Sequence, residues 1–228
     1  YTDYRVMIEE NPDLELIAIA TSSGAHAEIA LYCIEQGINV IIEKPMAMNM
    51  KDADEIIKRS QEKGVVVSVS HQNRFNVAVQ KLRTALEAGR FGKLSHGSIN
   101  VRWNRGKSYY DQATWRGTWA QDGGALMNQS IHAIDLLLWL MSSKATEVNA
   151  MLARRLRKIE AEDVGMAVMK LDSGALAMLE GTTATLDNNK EAMFSIFCEK
   201  GSVSIGLRKG KPSLHIYNEK GKSQNLKY

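Results

Sequence analysis

Cysteine is scarce in this chain: Cys33 and Cys198 are the only two in 228 residues, and they stand far apart with no metal-like spacing. That argues against a disulfide framework and against a metal centre, and it suits a reducing, cytoplasmic compartment. No long polybasic or polyacidic block occurs. The net charge of +3 is spread along the chain, so no nucleic-acid partner is expected, although a mildly basic balance suits an anionic small molecule. The longest apolar stretch, Ile131 to Met141, is too short and too interrupted to span a bilayer, so no membrane association is expected. No signal peptide is visible, and the chain opens at Tyr1 rather than methionine. Also missing is any G-x-G-x-x-G loop. What remains is ordinary for a globular protein, with 44% apolar and 24% charged residues in a length that allows one large or two small domains.

The front of the chain alternates strands and helices. Leu14 to Ala20 reads as a buried strand, Ala25 to Gln36 as a helix closed by Gly37, and Val40 to Ile42 as a second strand. Asn49 or Asp52 caps a further helix with Ala53, Ile56, Ile57 and Ser60 inward, Gly64 closes it, and Val65 to Ser70 forms a third strand. Strand–helix–strand–helix–strand with short connections is a parallel, right-handed array. A dinucleotide fold of this kind normally opens on a glycine-rich loop that backs a pyrophosphate onto a helix. Here Tyr1 to Pro12 reads instead as a helix already under way. The expectation is therefore an α/β Rossmann domain lacking its first βαβ unit, with an upstream segment to cover the sheet edge left open.

Within that array, Asn39-Val40-Ile41-Ile42-Glu43-Lys44-Pro45 carries the chemical signal. A short apolar strand ends in an acid, a base and a proline, and ligands of open α/β sheets bind beyond the carboxyl ends of the strands. Pro45 restricts Lys44, so the lysine is aimed. A strand that simply meets a solvated loop is the alternative.

From about residue 72 the pattern changes. Asn76 to Ala88 reads as a helix with Val79, Leu82 and Leu86 inward, and Leu94 to Trp103 alternates with Ile99, Val101 and Trp103 on one face. Residues 147–156, 163–171, 175–183 and 193–199 are strand-like, with a hairpin turn at Leu171-Asp172-Ser173-Gly174-Ala175. This predicts an α+β domain, 73–228 after a Rossmann half over 1–72, with a mainly antiparallel sheet covered on one face by helices. Gly123-Gly124 feeds a helix whose N-terminus offers an anion or carbonyl site. Along it Asn128, His132 and Asp135 share one face, with Met127, Ile131, Ile134, Leu138 and Met141 packing on the others. A satisfied core histidine is the bland reading of His132; the neighbouring Asn128 and the glycine pair favour a site.

Five strings in this order resemble the Gfo/Idh/MocA family of NAD(P)-dependent oxidoreductases: Ala20-Thr21-Ser22…His26, Glu43-Lys44-Pro45, His71-Gln72-Asn73-Arg74-Phe75, Trp115-Arg116-Gly117 and Gly123-Gly124-Ala125-Leu126…His132. The resemblance covers nearly the whole chain. It implies NAD or NADP as cofactor, a secondary sugar hydroxyl as the reacting group, and Lys44, His132 and Asn128 as the catalytic set, with His132 as general base or acid. It further implies that Thr21, Ser22, Ser23, His26, Glu43, Lys44, Pro45, Gln72, Trp115 and Arg116 approach the cofactor. Substrate would meet Lys44, Arg74, Arg102, Tyr110, Asn128 and His132. Many sugar and polyol dehydrogenases of the family carry an aspartate four residues before the histidine; Asn128 stands there in this chain, so it orients rather than accepts a proton. The string Gly124 to His132 looks closest to the branch acting on the 3-hydroxyl of nucleotide-linked N-acetylamino-uronic sugars.

A free sugar or inositol dehydrogenase is the rival among enzymes, and a non-catalytic dinucleotide-sensing regulator is the rival of another class. Arg102, Arg105, Tyr109 and Tyr110 either line a phosphate or carboxylate pocket or form a solvated loop. His96 and His215 sit in strand-like runs and read as structural, and Arg154, Arg155, Arg157 and Lys158 as a charged strand edge. The open sheet face is expected to pack against a second subunit in a homodimer or homotetramer.

Overall fold

A computed structural model describes residues 1–208, 211–218 and 223–225. The chain divides into one unit of Tyr1–Ser70 with Thr118–Gly123, and a second of His71–Gly117 with Gly124–Tyr228. The short segment 118–123 thus belongs to the first unit although the sequence around it belongs to the second.

The first unit is a parallel sheet of β1 (Leu16–Ile19), β2 (Asn39–Ile42) and β3 (Val67–Val69), in that order. Three helices accompany it: α1 (Tyr4–Glu10), α2 (His26–Glu35) and α3 (Met50–Lys63). Each boundary has a local cause. Asp3 caps α1 by accepting from the Arg5 amide, and Asn49, of the two candidates, caps α3 by accepting from the Asp52 amide. Gly64 ends α3 in the left-handed region at φ 68°, which glycine adopts without a Cβ penalty. Cys33, Ile34, Ile42 and Ile56 form the centre of this core. Burial pushes the Cys33 thiol up to about 11, which makes it an inert packing group. Ile57, expected inward, is exposed: neighbours in a helix differ by about 100° in direction, and Ile56 takes the inward one.

The second unit begins with a single 3-10 turn, Gln72–Phe75, and α4 (Val77–Glu87), capped by Asn76 and burying Ala78, Val79 and Leu82. Its sheet has eight strands: β4 (Leu94–Arg102), β5 (Ala145–Ala153), β6 (Val164–Leu171), β7 (Leu176–Thr182), β8 (Glu191–Cys198), β9 (Gly201–Arg208), β10 (Lys211–Asn218) and β11 (Ser223–Asn225). The order is β11-β10-β9-β8-β4-β7-β6-β5, and each neighbouring pair is antiparallel except β4 with β7. Beyond the runs named from the sequence the sheet continues through β9 to β11, and β10 contains His215, whose run reads as strand-like in the sequence. In β9 the alternation of Val203, Ile205 and Leu207 is diluted by serines and by Gly201 and Gly206, which lowers its strand signal. At the β6–β7 turn the Gly174 amide donates to the Leu171 carbonyl at 2.9 Å, with Gly174 at φ 82°, as its composition predicts.

One face of this sheet is dry. Ile99, Val101, Leu179, Phe194 and Ile196 meet a helical segment made of two parts, a π-helical turn (Ala125–Ser130) and α6 (Ile131–Leu140), the short α5 being Lys107–Tyr110. The core side of α6 is Leu136, Leu137 and Leu140 with Met141, whereas Ile131, Ile134 and Leu138 are only half-buried. The difference from the expected face follows from the π turn, whose i→i+5 bonding adds a residue and rotates everything after it. The opposite sheet face carries exposed Met151, Met166, Val168, Leu176 and Met178, beside an ion cluster of Arg102, Glu180 and Glu191.

Candidate active site

In the first unit, polar residues gather where β1 and β2 end. Ile19 stands opposite Ile42, and the Glu43 amide donates to the Ile19 carbonyl at 2.9 Å, so both following loops leave the same edge of the sheet. His26, only 1% exposed, joins these loops: Nδ1 lies 2.8 Å from the Pro45 carbonyl and Nε2 3.3 Å from the Thr21 carbonyl. Expected as a cofactor contact, His26 has both ring nitrogens engaged by backbone, and what it does is hold the loop that carries Lys44. Thr21 and Glu43 are exposed, Ser22, Ser23 and Lys44 half-buried, and Pro45 buried. Three hydroxyls and a carboxylate at the carboxyl edge of parallel strands are a set of polar groups that fits the ribose of a dinucleotide. The segment 118–123 packs on the same loop. Ser22 Oγ donates to Gln121 Oε1 at 3.2 Å and the Gly24 amide to the Gln121 carbonyl at 3.3 Å. A Cβ on Gly24 would strike the Gln121 side chain and the Ala120 carbonyl, so this close approach requires glycine.

In the second unit, His132 lies in the first turn of α6, directly after the π turn that bears Asn128. A second imidazole stands beside it: the His71 and His132 rings are 6.0 Å apart and nearly perpendicular. His71 Nδ1 is 3.6 Å from Asp135 Oδ2, and the Arg74 guanidinium grips both oxygens of the Asp135 carboxylate, with Nε at 2.7 Å from Oδ2. The bond to Asp135 raises the Arg74 pKa further, keeping the guanidinium charged. Arg74, expected as a substrate ligand, is therefore committed to Asp135 and fixes the setting of the two imidazoles. The sequence gives His71 no individual role, and the signal for it is that it opens the string His71-Gln72-Asn73-Arg74-Phe75.

The Arg116 guanidinium lies 4.3 Å over the Tyr109 ring and 4.9 Å over Trp115, while Arg105 sits between Trp103 and Tyr109. Gln129, on the π turn, donates to the Tyr109 hydroxyl at 3.1 Å, and the Tyr110 hydroxyl donates to Thr183 Oγ1 at 3.1 Å. Trp115 and Arg116 are half-buried, and Gln72 is exposed. Arg102 is a correction. Its guanidinium is neutralised by Glu180 and Glu191, and it alternates with Ile99 and Val101, which places it on the sheet face away from α6. A doubly paired arginine on the wrong face does not serve as a ligand of the site that His132 defines.

The glycine-fed helix start is also not open. The Ala125 amide donates to the Glu162 carbonyl and the Leu126 amide to Glu162 Oε1, both at 2.9 Å. A Cβ on Gly124 would fall on that carboxylate. The protein's own acid occupies the expected anion position, and burial raises the Glu162 pKa.

Comparison with known proteins agrees with this arrangement. A family model described as the oxidoreductase family, NAD-binding Rossmann fold, matches residues 1–71, and the GFO/IDH/MocA C-terminal domain matches residues 79–204. The WlbA dehydrogenase of Bordetella pertussis, solved in complex with NADH and UDP-GlcNAcA, is 38% identical at a TM-score of 0.84, over 89% of this chain and 58% of that one. The WlbA enzyme of Chromobacterium violaceum, solved with the same two ligands, is 38% identical at a TM-score of 0.86, over 90% of this chain and 59% of that one. The scyllo-inositol 2-dehydrogenase (NADP(+)) IolW of Bacillus subtilis is 31% identical over 76% of this chain and 47% of its own length. The chain thus spans about half to three-fifths of the relatives it matches. With a parallel sheet matched at its front and the helix-covered sheet matched behind, the chain belongs to the Gfo/Idh/MocA family of oxidoreductases.

Proposed function

We propose that the protein is a nicotinamide-dependent dehydrogenase acting on a secondary hydroxyl of a nucleotide-linked sugar of the N-acetylamino-uronic class. The observation that supports the chemistry most is His132 at the start of α6, flanked by Asn128 and by the His71–Asp135–Arg74 group. An imidazole has an intrinsic pKa near neutrality, so His132 takes the hydroxyl proton in oxidation and returns it in reduction. Asn128 orients the hydroxyl through hydrogen bonds. Lys44, held by a loop that His26 fixes, stabilises the developing alkoxide with its positive charge. Thr21, Ser22 and Glu43 would hold NAD or NADP, which would supply the hydride acceptor. The substrate class is favoured by 38% identity to enzymes solved with UDP-GlcNAcA. The 31% likeness to IolW supports a free inositol as the second reading.

Titration of the protein with NADH, followed by energy transfer from its tryptophans, tests the reading. Saturable binding at micromolar concentration, with UDP displacing the sugar substrate, is the expected result. Binding of NADH without any effect of UDP points to the free polyol, and no binding overturns the reading.

The protein acts as a homodimer or homotetramer joined through the outer sheet face, where five large apolar side chains lie exposed on β5, β6 and β7. Met178→Lys places a charge at the middle of that face without touching the core. It is expected to lower the mass measured by light scattering to that of a smaller species, with the melting temperature of the dissociated chain as a control. An unchanged mass removes this face as the interface.

A further inference from the structure

We propose that Glu162, which no assigned role includes, is a positioning residue for the reaction, clamping the turn that carries Asn128 and leads into His132. The inference rests on the dehydrogenase reading. Glu162 is 4% exposed and lies two residues before the first residue of β6. It attaches to the helical segment at consecutive points, its carbonyl receiving the Ala125 amide and Oε1 the Leu126 amide. From there the chain continues by the Asn128 amide donating to the Gly124 carbonyl at 3.0 Å. The position of Asn128 is therefore set two bonds from Glu162, and His132 follows one turn later.

The space for this clamp is built into the sequence. Gly124 has φ −104°, which any residue adopts, so its glycine is required by volume: a side chain would displace the carboxylate. Gly165 on β6 and Gly181 on β7 let the Leu126 side chain lie directly on the strands, and Gly181 also faces Ser130 Oγ. Three glycines and one acid thus bring a π-helical turn flat against the sheet, and such turns are common at functional sites.

Stability alone does not account for the acid. Glu162 Oε2 is buried with no hydrogen-bond partner among the described residues, and leaving such an atom unpaired is unfavourable. Burial accordingly raises the pKa of the group, and the neighbouring Asp163 adds to the rise. Asp163 itself is used differently: its two oxygens accept from the amides of Arg155, Arg157 and Leu156, closing the loop before it. The acceptor Oε1 at the amino end of the helical turn is what Glu162 contributes, and the unpartnered Oε2 accompanies it.

The test compares Glu162→Ala, Glu162→Gln, Glu162→Asp and His132→Ala in the full protein, reading kcat, KM, nucleotide affinity and exchange of the Leu126 amide with solvent. Glutamine keeps the Oε1 acceptor. It is expected to retain turnover within about threefold, while alanine lowers kcat by roughly 10- to 100-fold, as misplaced catalytic groups do, with nucleotide affinity unchanged. Should Glu162→Ala fail to fold, Glu162→Asp withdraws the acceptor by one methylene in a folded chain and is expected to show the same loss of kcat with faster Leu126 exchange. Wild-type turnover in Glu162→Ala or in Glu162→Asp, with His132→Ala inactive, overturns the clamp and leaves the dehydrogenase reading intact. A Glu162→Gln variant as inactive as Glu162→Ala also overturns it, since the acceptor is then not the operative feature. Absence of turnover in the wild type overturns the dehydrogenase reading itself, and full activity in His132→Ala overturns the assignment of His132 and the clamp with it.

Discussion

His132→Ala is expected to lower kcat by about 10²- to 10⁴-fold, the range removed when a positioned general base is lost. Nucleotide affinity should change little, because the residues that fit a dinucleotide lie in the other unit, at the ends of β1 and β2. The size of the effect depends on whether another group takes over the proton. His71 is the candidate, with its ring 6.0 Å from that of His132 and its Nδ1 3.6 Å from Asp135. Its setting is fixed by the Arg74–Asp135 pair, so it does not swing freely into the vacated position. A loss near the upper end of the range therefore means that His71 does not substitute, and a loss near the lower end that it does. Comparing kcat with KM separates this from a binding defect, since a group acting only in the transition state lowers kcat and kcat/KM together. Turnover equal to the wild type removes His132 from the mechanism, whereas nucleotide binding without turnover in the wild type is the result that returns the non-catalytic, dinucleotide-sensing relative as the better account.

The parts of the molecule legible in the sequence are those with short-range causes. The cap at Asn49, the glycines at 64 and 174 and the apolar strand before Glu43-Lys44-Pro45 depend on a few adjacent residues, and the structure shows each. What long-range packing decides was not legible. Periodicity assumes 3.6 residues per turn, so it misplaced the core face of the segment 125–141, where a π turn lies on Gly165 and Gly181, residues about 40 and 55 positions further on. Glu162 in Ile159-Glu160-Ala161-Glu162-Asp163 looks like a surface acid; only the fold turns it toward the amides of Ala125 and Leu126. Arg102 reads as a free cation because Glu180 and Glu191 are distant in sequence and adjacent in the sheet. Likewise, His26 follows a strand as a ligand-binding histidine would, and its engagement by the Pro45 and Thr21 carbonyls is visible only in three dimensions.

Leu137→Ala is expected to destabilise the second unit by about 2–5 kcal/mol, the range for removing a buried leucine that leaves a cavity. Leu137 is fully buried, and its Cδ1 fills the space above Gly97 that a side chain on β4 would otherwise take. No neighbour replaces it easily. Met141 also occupies the Gly97 position, with its sulfur, but it belongs to the same helical segment, and Ile99 and Ile196 are held by their strands. The cavity therefore persists or α6 shifts toward the sheet, and either outcome displaces His132 one and a half turns away on the same helix. Thermal unfolding distinguishes this from a global effect: each unit has its own core, so the transition of the second unit should fall by roughly 4–20 °C at ~2–4 °C per kcal/mol for a unit of this size. Leu138→Ala, half-buried beside it, should cost clearly less. Equal effects from the two substitutions would mean that the helix does not present the Leu136–Leu137–Leu140 face to the sheet, and with it the placement of His132 would have to be redrawn.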